Sequence, residues 1–279
     1  MPRTRRGCFK CSQGYLQSEE TNKNKTISQY LSLQACRTAL ADRVMGVRVA
    51  AADCLVEMLD SAAFLHSQEL ENTASLCFRA LEGASYAARR SIARLLGLVM
   101  AATQDQARAK VTRPMGSGNT RGAGGRVTSL EEALGLLGQG FLRGGLGSFL
   151  KGTGDLMKSS GVNPEVRVGV SHSYVVMVRS LGPGYLERNL GTILGHVLEL
   201  ASNPRAGSSH TEVVCARNCV TYILSSLLGR LLREKAQVSA CKELLRVLAR
   251  SLNTGDREEG GEAGANTQHL QVSKRRTLF

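Results

Sequence analysis

Apolar positions fall at helical spacing along most of this chain, in blocks separated by turn residues. Ile27, Leu31, Leu33 and Leu40 support a first helix over about 27–40, and Asp42-Arg43 marks a turn. Val47, Ala51, Leu55, Met58 and Leu59 then follow the i, i+4, i+8, i+11 rhythm of one buried face and predict a helix over about 45–59. The next pair repeats the design. Leu70, Ala74, Leu76, Cys77, Ala80 and Leu81 line one helix, which Gly83 ends through its tolerance of left-handed backbone. Ser85 can cap the partner helix, which turns Ala88, Ile92, Leu95, Leu96 and Val99 inward. Two antiparallel helices joined by a short turn, followed by another such pair, make the unit of an α-solenoid.

Between Thr103 and Val127 the pattern breaks: Pro114, five Gly and five Arg or Lys occupy the stretch, as expected for a flexible basic loop. Thr128-Ser129-Leu130-Glu131 reads as a capping box, with the Thr128 hydroxyl and the Glu131 carboxylate serving first-turn amides. The helix it opens carries Leu130, Ala133, Leu134, Leu137 and Phe141. A glycine-rich insertion over 140–163 follows. A phosphate loop would need GxxxxGK[ST] between a strand and a helix; Lys151 precedes Gly152 here, so nucleotide binding is rejected. The stretch is read as a small helix tucked against the array, in preference to an amphipathic segment touching a membrane surface. Asn163-Pro164-Glu165 is the sharpest start signal: an N-cap, a proline at the first helical position and an acid at the positive end of the dipole. Val166, Val170, Tyr174, Met177 and Val178 face inward from there. After Gly182-Pro183-Gly184, apolar residues from Tyr185 to Leu200 mark one helix, Val213 to Leu228 a second and Ala236 to Leu248 a third.

Four arginines share a setting, each preceded by a small apolar residue and followed by a helical pattern: Arg48, Arg89, Arg167 and Arg217. Their separations of 41, 78 and 50 residues fit a repeat near 40, with the 78-residue gap stretched by the basic loop and the glycine segment. A helix-filled period of that size predicts an all-α chain, an α-solenoid of antiparallel HEAT-type helix pairs. The expected organisation is an irregular leader over 1–26, helix pairs over 27–102, the basic loop over 103–127, helix pairs over 128–251 and a disordered tail over 252–279. In such a stack a turn Asp and the following Arg can pair between units, as Asp42 with Arg48. Gly83 and Gly161 stand in place of the Asp in later units. Asp42, Arg48, Arg89, Pro164, Arg167 and Arg217 are therefore assigned repeat-structural roles, and the competing reading, an arginine grip on an acidic partner, is set below that.

Composition narrows the chemistry. The chain has 279 residues, 42% hydrophobic and 4% aromatic with no Trp, so its core is built from Leu, Val, Ala and Met. No apolar run is long enough for a transmembrane helix, and nothing after the first arginines resembles a secretory signal. Net charge is +13, but residues 1–25 hold six basic against two acidic residues and 103–127 hold five against one. That basicity is read as solvated irregular segments in preference to a nucleic-acid footprint. Eight cysteines without a secretion signal are expected as reduced, mostly buried thiols. Cys8-Phe9-Lys10-Cys11 lacks a second pair, and Cys215 with Cys219 is better explained by packing than by metal ligation. The five His pair with no Asp or Ser in a recognised catalytic spacing. No catalytic, cofactor-binding or metal residues are assigned, and no enzyme is expected.

The string from Leu70 to Gly83 resembles the HEAT repeat-containing protein 5 family. So do Ser129-Leu130-Glu131-Glu132, Gly140-Phe141-Leu142-Arg143-Gly144, Glu165 to Val170, Leu186-Glu187-Arg188-Asn189, and Gly229 with Glu234-Lys235-Ala236-Gln237. The likeness spans roughly 28–250; the leader and the tail do not share it. Family members are far longer, so the resemblance implies a fragment or short isoform. It further implies a non-enzymatic cytoplasmic scaffold, peripheral on trans-Golgi and endosomal clathrin-coated vesicles, with indirect membrane association. Aftiphilin, gamma-synergin and adaptor protein complex 1 are the implied partners, in endocytosis, protein localisation and retrograde transport from endosome to Golgi. The alternative is a karyopherin-like cargo binder or a nucleic-acid-binding helical repeat; no specific nucleic acid is expected.

Overall fold

In the computed structural model, which describes residues 28, 31–59, 69–104, 128–144, 162–206 and 209–255, every regular element is a helix. The leader with its Cys8–Cys11 motif, segments 105–127 and 145–161, and the tail from 256 lie outside the described residues. Helix α1 covers 31–39. It is followed by α2 (Met45–Met58), α3 (Leu70–Leu81), α4 (Tyr86–Gln104), α5 (Leu130–Arg143) and α6 (Pro164–Leu181). Then come α7 (Pro183–Arg188), α8 (Leu190–Ser202), α9 (His210–Leu224) and α10 (Glu234–Gly255). A 3-10 turn, Pro204–Ala206, precedes α9, and a π-helical turn, Ser225–Gly229, follows it.

The helices stack in two layers. One consists of α2, α4, α6 and α9, each touching the next; the other of α3, α5, α8 and α10 in the same manner. Pairs α3–α4, α5–α6 and α8–α9 join the layers. Side chains give the directions. The Phe141 carbonyl accepts from Arg167, while seven residues back along α5 the Leu134 carbonyl accepts from Tyr174, seven residues further along α6. Helices α5 and α6 are therefore antiparallel. Across the first layer Arg167 meets Glu212 and His172 meets Tyr222, so α6 and α9 run the same way. This arrangement is compatible with an α-solenoid. None of the described helices is long and apolar enough to cross a membrane.

The periodic faces became the core. Ala88, Ile92, Leu95, Leu96 and Val99 on α4 and Val166, Val170, Tyr174, Met177 and Val178 on α6 are all fully buried. A buried Leu or Ile contributes roughly 1.5–3 kcal/mol relative to exposure, so these two helices hold the centre of the stack. Leu31 is exposed although Leu33 and Leu40 are buried: residues two apart on a helix point to nearly opposite sides. Val47, expected on the buried face, is exposed as well, as are Val214 and Leu245. Burial of the thiols is uneven too. Cys77 and Cys219 are buried, Cys36 and Cys215 half-buried, and Cys54 and Cys241 exposed.

Several boundaries moved, each for a local reason. The capping box uses Ser129 and Glu132, one residue beyond the expected Thr128 and Glu131: Ser129 Oγ accepts from Glu132 N at 3.1 Å and Glu132 Oε2 accepts from Ser129 N at 3.0 Å. Both Thr128 and Ser129 stand three residues before a Glu. The Gln104 amide nitrogen donates to the Thr128 and Ser129 carbonyls, at 3.2 and 3.4 Å, and holds that stretch outside the helix. Gln104 itself ends α4 two residues inside the predicted loop, and its Oε1 accepts from Tyr185 Oη at 3.1 Å. One side chain thus ties the ends of α4 and α5 to α7. Gly140 to Arg143 belong to α5 and not to a glycine-rich insertion. A Cβ on Gly140 would lie 2.2 Å from the Phe78 ring, so that glycine is where α5 crosses α3. The helix expected from Tyr185 to Leu200 is broken at Asn189 into α7 and α8, and α10 continues to Gly255.

Candidate functional site

Arg48, Arg89 and Arg167 are each the fourth residue of their helix. Helical side chains lean toward the N-terminus, so a guanidinium at that place reaches past the head of its helix. For Arg48 and Arg167 it meets there a carbonyl at the end of a neighbouring helix. Arg48 Nη1 donates to the Ala80 and Glu82 carbonyls at the end of α3, at 2.9 and 3.2 Å. Its Nε donates to the Asp42 carbonyl at 2.6 Å. The expected Asp42–Arg48 pairing is therefore made through the Asp42 backbone. The Asp42 carboxylate instead accepts from Val44 N at 2.7 Å and closes the turn before α2.

Arg167 is more deeply set, with 1% exposure. Its Nε donates to the Phe141 carbonyl in the last turn of α5 at 3.3 Å, Nη1 to the Glu212 carbonyl at 3.3 Å and Nη2 to the Arg205 carbonyl at 3.4 Å. Glu212 Oε1 lies 3.7 Å from Nη2, and the guanidinium carbon sits 5.8 Å from the centre of the Phe141 ring. A buried cation is tolerated when its donors are matched, and helix C-terminal carbonyls carry the complementary partial charge. The head of α6 is fixed by Asn163, whose Oδ1 accepts from Glu165 N at 3.0 Å, with Pro164 exposed in the first turn.

The other two arginines differ. Arg89 is half-exposed and its side chain makes no hydrogen bond or ion pair among the described residues; its charge acts on His172 of α6. Arg217 is the eighth residue of α9, one turn deeper than the others, and Val213 occupies the fourth place. The resemblance in sequence between Ala216-Arg217 and the earlier three sites is not a resemblance of position.

Beyond Arg167 the seam between α6 and α9 opens into a cleft of about 570 Å³. Val168 and Ser171 line it from α6, and Val214, Cys215, Asn218 and Tyr222 from α9. Its walls include exposed aliphatic side chains: Val168 is 43% and Val214 41% exposed. His172 stands edge-on to Tyr222, ring centres 5.4 Å apart and planes at 80°. Burial lowers the pKa of His172, and the charges of Arg90 and Arg89 push it the same way. Cys219 is raised by its contact with the Cys215 thiol and by burial. Among the described residues no group of three His, Cys, Asp or Glu side chains is placed to hold a metal ion.

Val213 to Leu228 predicted a helix, and the cleft along it was not predicted. A signal was present in Val166, Val168 and Val170, three branched residues at alternate positions that cannot all face one core in a helix. No family model matches this chain, and no solved structure matches it.

Proposed function

We propose that this chain is a non-enzymatic protein-binding scaffold of the HEAT type. It works with aftiphilin, gamma-synergin and adaptor protein complex 1 in clathrin-dependent traffic between endosomes and the trans-Golgi network. One observation supports the scaffold reading above others: helix pairs stack in sequence order into two layers, leaving a broad helical surface. The family assignment draws on the strings quoted above, which fall at contacts between units. Gly140 meets Phe78, and a Cβ on Gly169 would lie 2.4 Å from Leu81. Both glycines and both of their neighbours belong to those strings. Localisation on clathrin-coated vesicles follows from the same partners, through protein contact and not through insertion into lipid.

The test is affinity capture of the tagged full chain from cytosol, read by mass spectrometry and repeated with purified aftiphilin and gamma-synergin. Enrichment of those two proteins with adaptor subunits supports the reading. Their absence, together with strong salt-sensitive RNA binding by the same preparation, turns the assignment to the nucleic-acid-binding alternative.

A further inference from the structure

We propose that the cleft between α6 and α9 is a docking site for a short peptide carrying acidic residues around one or two aliphatic or aromatic anchors. The inference rests on the protein-binding reading and makes it specific. The cleft has the size of a site for a few side chains, and its apolar lining is shared by two helices of one layer. Val168 and Val214 sit on the two sides with Tyr222 at 38% exposure beyond them. The other exposed large apolar residues among those described are Leu31 on α1, Val44 and Val47 at the head of α2, Tyr86 at the start of α4, and Val238 and Leu245 on α10.

Charge around the cleft selects the ligand. Arg179 and Arg230 act electrostatically on Tyr222, and Arg89 and Arg90 act on His172, which touches Tyr222. None of these four arginine side chains forms a hydrogen bond or ion pair among the described residues, and Arg90, Arg179 and Arg230 are exposed. Toward the head of the cleft the Cys215 thiol feels Arg167 together with the carboxylates Glu212 and Glu165, and Glu212 is paired with Arg167. An apolar floor with positive charge gathered toward its Tyr222 end is complementary to an acidic and hydrophobic segment. Thr211 and Asn218 add polar groups along the lining for backbone contact. Nucleic acid fits less well, since Tyr222 and His210 are the only rings of the lining and the exposed walls, Val168 and Val214, offer no face on which bases could stack.

The test uses fluorescence anisotropy on the full chain with two labelled probes, a peptide of Asp and Glu interspersed with Leu and Phe, and a neutral peptide with Gln and Asn replacing the acids. Saturable binding of the acidic probe is expected, weaker by about tenfold or more for the neutral one. The Arg179→Glu/Arg230→Glu double variant should lower affinity by a similar factor and flatten its salt dependence. Val214→Asp should abolish binding with an unchanged melt, since Val214 is already partly exposed, while Val238→Asp on α10 should bind normally. Equal binding of both probes, insensitivity to Val214→Asp, or single-stranded RNA competing at these residues more tightly than the acidic peptide would each overturn the proposal. Captured aftiphilin with no peptide binding refutes the cleft alone; peptide binding without aftiphilin refutes the trafficking assignment alone.

Discussion

Helix α6 meets α4 on one side and α9 on the other, and the two seams are built differently. Toward α4 the backbones nearly touch: a Cβ on Gly97 would lie 2.7 Å from the Ser173 carbonyl and from Val176 Cβ. Ile92, Leu96, Val99 and Met100 of α4 are fully buried beside this crossing. Toward α9 contact is concentrated at the head, where Arg167 gathers carbonyls from α5, α9 and the 3-10 turn, and the seam then widens into the cleft. One neighbour is held by shape and the other by a buried cation. The difference teaches where the stack is solid and where it has surface to offer, because the missing side chain at a crossing sets how closely two helices approach.

Removing the cation should produce the largest effect. Arg167→Ala removes the ion-pair partner of Glu212 and the donor to three carbonyls, and loss of about 3–5 kcal/mol is expected in chemical denaturation. An unchanged melt with lost partner binding would make Arg167 a recognition residue and reverse its assignment. Gly97→Val attacks the other seam. The obstruction includes backbone, which cannot swing aside, so the loss should be about 1–3 kcal/mol despite better helix propensity. A neutral or stabilising result would show that α4 and α6 are not in close contact.

Acid titration is a gentler probe of the packing around α6. Burial lowers His172 at the cleft and also lowers His196, which lies 2.7 Å from the Tyr174 hydroxyl between α6 and α8. Both fold with a pKa below the ordinary 6.5, so the unfolded chain takes up protons first as pH falls. Their contribution is complete above about pH 6.5 and is lost as pH drops through the lowered folded values. Melting temperature should therefore decline below that point, and His196→Gln should remove part of the slope. The smallest effect belongs to Arg89→Ala, within roughly 0.5 kcal/mol. A loss as large as that of Arg167→Ala would mean that all heads in the layer are pinned alike.

The solid seam was legible in the sequence because it is periodic. Ala88, Ile92, Leu95, Leu96 and Val99 could be read off as one face before any neighbour was known, and the cap at Asn163-Pro164 could be placed to the residue. The open seam was not. Periodicity identifies which residues are apolar, whereas exposure of Val168 and Val214 depends on how far apart two helices settle. The arginines fall between these cases. Spacing located Arg48 and Arg167, but equating Arg217 with them required the start of α9, which Ser209 sets through its cap on Glu212 N at 3.3 Å. The Gln104 tie joins residues 24 and 81 positions apart in the chain, a contact that no local pattern encodes.

Amide hydrogen exchange on the unmodified full chain tests the contrast between the seams most directly. The account predicts greater protection over 92–101 and 169–178, where α4 and α6 are pressed together, than over 213–224 of α9, with exchange in α9 fastest along the cleft side. Equal protection of α4 and α9, or stronger protection in α9, would contradict it.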